Sequence, residues 1–275
     1  MKFKAIFIDI DGTLMDGKGD ISERNIANIA RLRQAGVFTV IDTGRNLADA
    51  KSILEMTGFT LPVIGANGSY ITDDECKNVV FESAMSPKAC REIVKICREY
   101  GALPSFSTRW CFYAEKGFLR FAEMTRPEWQ IRDKENLIGE PFYIEPDGWE
   151  RFIAGNAVVK CNLFHEDDRV LARIQKEMVA LHAVSLASRG EYNIEYNNRG
   201  VTKGSGLRWY LRAHGLKKEE SMAVGDGDND LSMLKSAGFG VAMGNSYAGL
   251  LKKADYITES IVNDGLSQVL EKFAG

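Results

Sequence analysis

Short apolar runs alternate with helix-period segments from the start of the chain. Lys4-Ala5-Ile6-Phe7-Ile8, Val37-Phe38-Thr39-Val40-Ile41 and Leu61-Pro62-Val63-Ile64 read as strands covered on both faces. Between them a helix begins at a Ser22 cap and ends at Gly36, and Leu47, Ala50, Ile53 and Leu54 mark the apolar face of a second. Residues 1–82 thus predict strand, helix, strand, helix, strand, closed by a hairpin around Thr72-Asp73-Asp74-Glu75. The pattern returns at Val201, with a helix on Leu207, Tyr210 and Leu211, a strand at Ser221-Met222-Ala223-Val224, a helix on Leu231, Met233, Leu234 and Ala237, runs through Val241 and Ile257, and a last helix ending near Phe273. In between, helices over Pro87–Tyr100 and Asp167–His182 mix with the short runs Trp110-Cys111-Phe112-Tyr113, Ala157-Val158-Val159-Lys160 and Tyr192-Asn193-Ile194-Glu195. The expected architecture is α/β: a doubly wound, parallel-sheet, Rossmann-like core of residues 1–82 and 197–275, into which an α/β lid of residues 83–196 is inserted.

The ends of the predicted core strands are unusually polar. The first ends in Asp9-Ile10-Asp11-Gly12-Thr13, and a doubly wound sheet keeps its chemistry at such strand tips. Two carboxylates one residue apart repel unless a cation joins them, and Mg²⁺ characteristically binds one or two carboxylates beside a substrate phosphate. A calcium loop counted from Asp9 would need Gly and Glu where Leu14 and Asp20 stand. A second acidic tip, Gly225-Asp226-Gly227-Asp228-Asn229-Asp230, follows the strand at Val224. A calcium loop from Asp226 fails in the same way at Leu231 and Ala237, and three acids with an Asn exceed what a helix N-terminus needs for its dipole.

Asp42-Thr43-Gly44-Arg45 follows the second strand, where a hydroxyl, backbone amides and a guanidinium make an anion site. Taken alone, Thr43 is better read as a helix cap. Lys203 opens the helix carrying Leu207, where a cation opposes the helix dipole and calls for a specific reason.

Together, Asp9-Ile10-Asp11-Gly12-Thr13, Thr43-Gly44-Arg45, Lys203 and Gly225-Asp226-Gly227-Asp228-Asn229-Asp230 resemble, in order and context, the four signature motifs of the haloacid dehalogenase (HAD) superfamily. The insert between the second and third motifs, the pair Asn67-Gly68 and the late Asn263-Asp264-Gly265 resemble the Cof-type branch of phosphatases. The resemblance implies a Mg²⁺-dependent phosphatase in which Asp9 is the nucleophile and Asp11 the general acid and base. Asp9, the Asp11 carbonyl, Asp226 and Asp230 would hold the metal, and Thr43, Gly44, Arg45, Lys203 and Asn229 the phosphoryl group. Asp11 must then hold a proton near neutral pH, and neighbouring Asp9 and Asp226 push it that way. An acid at position 11 points to a phosphatase or phosphomutase within the superfamily; a phosphate-sensing regulatory module is the alternative of another class.

Composition narrows the partners. At 275 residues the chain exceeds the usual single domain of ~100–200, and 45% hydrophobic residues suffice for two cores. A net charge of -3 gives no reason to expect nucleic acid or an anionic membrane. Met1-Lys2-Phe3 leads straight into the first strand and no apolar stretch spans a bilayer, so the cytoplasm is expected. Cys76, Cys90, Cys97, Cys111 and Cys161 are odd in number with no Cys-x-x-Cys pair, which argues for a reducing compartment and against zinc. Cys90 and Cys97 share the apolar side of the Pro87 helix and read as core. The expected partner is a small phosphate ester, sugar phosphates first and phosphorylated cofactors such as pyridoxal phosphate or flavin mononucleotide second. Asn67, Gly68, Arg109, Trp110, Lys160, Asn193 and Glu195 are the candidate residues for reading it.

Overall fold

A computed structural model describes residues 3–118, 120–121 and 142–273. Its larger sheet has the order β14-β13-β12-β1-β2-β3-β4-β5. β1 (Ala5–Ile8) lies at the centre and β2 (Phe38–Asp42) and β12 (Ser221–Gly225) flank it, both parallel to it. β3 (Val63–Gly65), β13 (Phe239–Ala242) and β14 (Tyr256–Ile257) continue the parallel order outwards, and β4 (Tyr70–Thr72) runs antiparallel beside β3 before β5 (Val79–Glu82) closes the edge. Burial of both faces explains the apolar strand sequences: Ala5, Phe7, Val40 and Ala223 pack with Leu207, Tyr210, Leu211, Met233 and Leu234 of two helices, and Ile6, Ile8 and Ile41 on the opposite face are also fully buried. From β1 the chain first builds outwards through β2 and later returns on the other side at β12. The strand order therefore reverses at β1, where open α/β sheets form their crevice.

The second sheet has the order β10-β11-β9-β6-β7-β8. It comprises β6 (Leu103–Ser107), β7 (Phe112–Ala114), β8 (Phe142–Tyr143), β9 (Lys160–Phe164), β10 (Val184–Arg189) and β11 (Asn193–Asn198). Phe106, Cys161, Leu163, Ile194 and Tyr196 point to one face and pack against Cys90, Ile93, Cys97, Leu171, Ile174 and Met178 of the helices Pro87–Tyr100 and Asp168–Ala180. The intervening positions are mostly polar, as the two-residue period of a strand requires.

By contact density the chain forms two compact units, one of Met1–Arg45, Ala50–Phe81 and Thr202–Gly275, the other of Asn46–Asp49 and Glu82–Val201. The short runs expected in the insert were the least accurate. The strand expected over Ala157–Lys160 begins only at Lys160, while β6, β10 and the helix Trp149–Gly155 had no clear period in sequence. Pro104 interrupts the alternation of β6, which the ladder to β9 nevertheless holds in register. The cysteines are unpaired, and burial pushes the Cys90 thiol up to about 12. Among the described residues, no helix is long and apolar enough to cross a membrane.

Candidate active site

The tips of β1, β2 and β12 converge with the starts of two helices. Asp9 follows β1 directly and is nearly buried; its amide donates to the Val224 carbonyl at 3.1 Å. Lys203 is the first residue of the helix Lys203–Ala213, whose N-terminus is closed by a reciprocal pair: Ser205 N–H donates to Thr202 Oγ1 at 3.1 Å and Thr202 N–H to Ser205 Oγ at 2.9 Å. The rigid cap aims the lysine. Its fully buried ammonium donates to Asp9 Oδ1 and Asp230 Oδ1, both at 2.6 Å. Burial pulls the Lys203 pKa down, but Asp230, Asp9 and Asp42 outweigh it and raise it, so the ammonium stays charged.

Asp230 opens the helix Asp230–Ser236, and its Oδ2 accepts from Asp226 N–H at 2.9 Å and Gly227 N–H at 2.8 Å, which shapes the acidic loop. Asp226 in turn accepts from Thr13 Oγ1 at 3.2 Å and from Asn245 Nδ2 at 3.3 Å. Asn245 Nδ2 also donates to the Gly12 carbonyl at 2.9 Å and Asn245 Oδ1 accepts from Ile261 N–H, so one side chain ties the first acidic tip to the second. Gly12 has φ +81°, and a Cβ there would stand 2.3 Å from Asp226 Oδ2; only glycine lets the two tips approach.

One carboxylate oxygen from each of Asp9, Asp226 and Asp230 lies within 4.8 Å of the others. An all-oxygen, all-carboxylate set suits a hard divalent cation such as Mg²⁺ and is a poor set for zinc. Three carboxylates this close crowd the cluster with negative charge. Burial, then Asp230, push Asp9 well above the usual carboxylate range against the pull of Lys203. Burial and Asp230 likewise raise Asp226 to about 7, opposed by the Thr13 hydroxyl.

Asp11 lies at the same tip but has a partner the sequence did not foretell. Arg45 Nε donates to Asp11 Oδ2 at 2.8 Å and Nη2 to Oδ1 at 2.7 Å. A two-pronged guanidinium favours the ionised carboxylate, against the push expected from Asp9 and Asp226. Arg45, expected at the phosphoryl group, thus holds the candidate acid. Thr43 is buried; its Oγ1 accepts from Arg45 N–H at 3.2 Å, while helix capping falls to Asn46, whose Oδ1 accepts from Asp49 N–H at 2.9 Å. Asn229 Nδ2 donates to Asn67 Oδ1 at 2.9 Å, and a Cβ on Gly44 would meet that same oxygen at 3.0 Å. Asn67 is buried with φ 56°, and Gly68, at φ +98°, brings its turn against the Thr202 carbonyl, where a Cβ would sit at 2.3 Å. These two residues, expected to read substrate, brace Asn229 and the Lys203 helix.

The remaining candidates lie in the second unit. Lys160 and Glu195 form a part-buried pair at 3.4 Å; Asn162 Nδ2 donates to Glu195 Oε1 at 3.1 Å and Asn193 Nδ2 to Asn162 Oδ1 at 2.9 Å. All four stand on the polar face of the second sheet. Arg109 and Trp110 occupy the β6–β7 turn, with Arg109 paired to Glu82 at 2.9 Å and Trp110 exposed. The sequence reading missed Thr13, Asn162 and Asn245. Thr13 was legible as a neighbour of Asp11, but Asn245 is nineteen residues beyond Asp226 and carries no local signal.

The family model for haloacid dehalogenase-like hydrolases matches residues 6–270. The chain is 27% identical over 267 residues to the 5-amino-6-(5-phospho-D-ribitylamino)uracil phosphatase YcsE of Bacillus subtilis, covering 97% of this chain and 94% of that protein. It is 26% identical over 279 residues to the pyridoxal phosphate phosphatase YbhA of Escherichia coli, covering 98% of each. A solved haloacid dehalogenase-like hydrolase from B. subtilis superposes with a TM-score of 0.89 at 25% identity, covering 98% of this chain and all of that one.

Proposed function

The chain belongs to the haloacid dehalogenase-like hydrolase family, and from that premise we propose that it hydrolyses small phosphate monoesters through an aspartyl-phosphate on Asp9. The observation that carries this reading is the short contact of Lys203 with Asp9 Oδ1, beside the carboxylates of Asp226 and Asp230 and within one strand tip of Asp11. This supports the reading because attack on phosphorus needs a nucleophile, a fixed cation and a second carboxyl group close together.

In the first half-reaction an Asp9 oxygen bonds to phosphorus as the ester P–O bond breaks, and the electron pair leaves with the substrate oxygen. Asp11 supplies the proton that this oxygen takes up. Because Arg45 stabilises the Asp11 carboxylate at rest, Asp11 must first take up a proton from solvent, giving up part of the Arg45 contact, before it can donate that proton to the leaving oxygen. In the second half-reaction Asp11 accepts a proton from the attacking water, the Asp9–phosphorus bond breaks, and the Asp9 carboxylate returns with inorganic phosphate. Lys203, Thr43 and the backbone at Gly44 face the phosphoryl oxygens, whose negative charge spreads in the transition state. Mg²⁺ held by Asp9, the Asp11 carbonyl and Asp226, with Asp230 behind them, would neutralise phosphoryl charge and keep the nucleophile ionised.

Specificity belongs to the second unit in this proposal. Lys160, Asn162, Asn193 and Glu195 offer both donors and acceptors, which matches the hydroxyl groups of a sugar or polyol phosphate better than an apolar leaving group. Sugar phosphates come first and phosphorylated cofactors second; the substrates named for the two relatives, a ribityl phosphate and pyridoxal phosphate, fall in these classes. The test is phosphate release from an aryl phosphate and from a panel of monoesters, with and without Mg²⁺. Turnover that survives exhaustive chelation would reject the metal, and no turnover of any monoester would reject the function.

A further inference from the structure

Asp42 is a buried carboxyl group for which the site so far has no use. It ends β2, is 0% exposed, and among the described residues neither of its oxygens has a hydrogen-bond partner. Native structures rarely leave such a group unsatisfied, and a cost of this kind tends to persist where function requires it. The other carboxyl groups of the strand tips each accept hydrogen bonds: Asp9 from Lys203, Asp11 from Arg45, Asp226 from Thr13 and Asn245, and Asp230 from Lys203 and two backbone amides.

The complement is close by. An ammonium has three N–H groups, and among the described residues Lys203 places two, on Asp9 and Asp230. Ile8 pairs with Ile41 in the β1–β2 ladder, so the next residues, Asp9 and Asp42, stand side by side at adjacent tips. Burial pushes the Asp42 carboxyl well above the usual carboxylate range, against the downward pull of Lys203. Among the described residues, a buried cation one acceptor short therefore neighbours a buried carboxyl group with no donor.

Phosphoryl transfer changes the balance, and the inference rests on the phosphatase reading at this point. Once Asp9 carries the phosphoryl group as an acyl phosphate its carboxylate charge is gone, and Lys203 loses one of its two carboxylate acceptors. We infer that Asp42 is a positioning residue for Lys203, supplying the acceptor to which the lysine turns while Asp9 carries the phosphoryl group. It keeps the ammonium at the phosphoryl oxygens through the second half-reaction and is idle in the first, when Asp9 itself holds the lysine.

The role has a kinetic signature. kcat/KM reports the steps through formation of the covalent intermediate, and kcat also reports its breakdown. Asp42→Asn should lower kcat by ~10-fold or more while kcat/KM stays within ~3-fold, and rapid mixing with an aryl phosphate should show a burst of phenolate approaching one per site. Because Asp42 has no hydrogen bond to lose among the described residues, the same variant should melt within ~2 °C of wild type. Asp42→Ala should reproduce the kinetic pattern. A residue of purely structural use would lower the melting temperature and reduce kcat and kcat/KM together, and that result overturns the inference, as does unchanged kcat or failure of both variants to fold. Those outcomes leave the phosphatase reading standing if wild type hydrolyses the aryl phosphate; an inactive wild type overturns both.

Discussion

Lys203→Met deletes the buried ammonium that bonds Asp9 and Asp230 while keeping most of the side-chain length. The ammonium is fully buried and bonds both carboxylates at 2.6 Å. Removing one partner of a buried ion pair leaves uncompensated charge and costs ~3–5 kcal/mol. The pH dependence of that loss follows from the carboxylates. Burial and Asp230 already raise the Asp9 pKa and Lys203 opposes them, so the variant raises it further. A carboxyl group whose pKa is higher in the folded than in the unfolded chain favours folding below the unfolded value, and that stability is lost as pH rises through the folded one. The variant should therefore be most destabilised near pH 8 and recover towards pH 5, relative to wild type, with a slope of up to ~1.4 kcal/mol per pH unit for each proton taken up. Urea unfolding of both proteins in chelator, at the two pH values, measures this directly. A loss under ~1 kcal/mol near pH 8, or a larger loss near pH 5, would refute the argument that Lys203 is the neutralising charge of the cluster.

Asp9→Asn is expected to fold normally and lose turnover by ~10³-fold or more, as measured by initial rates, since it removes the covalent nucleophile. Asp11→Asn should depress alkyl phosphates far more than activated aryl phosphates, because a good leaving group needs little protonation; equal losses in the two series count against the acid role. Asn245→Ala removes the bonds to the Gly12 carbonyl and Asp226 and should raise the Mg²⁺ concentration for half-maximal activity by ~10-fold, read from a metal titration. Ala substitutions at Lys160 or Glu195 should reorder natural phosphate esters while sparing a small aryl phosphate, whereas Thr43→Ala should slow every substrate alike.

The sequence by itself determined the core strands, because both faces of a parallel sheet are covered and every position of β1 and β12 must be small or apolar. It also marked Asp9, Asp11, Asp226 and Asp230, which have no place beside the ends of buried strands on packing grounds alone, and the fold brings carboxylates of Asp9, Asp226 and Asp230 together. It determined much less in the inserted region, where β6 and β10 are held by ladder partners distant in sequence and their own residues show no clean period. Tertiary structure alone decided who touches whom at the tips. Arg45 met Asp11 because β1 and β2 are neighbours, Asn245 met Asp226 because a loop beyond β13 folds back over β12, and Asn67 met Asn229 across 162 residues of chain. Asp42 is the sharpest case. In sequence it is one more residue before Thr43-Gly44-Arg45; only in the folded chain does its burial without a partner among the described residues, beside a lysine that places two of its three N–H groups on them, become visible. Hydrophobic periodicity is written in neighbouring residues, whereas hydrogen-bond completeness is a property of atoms that folding brings together.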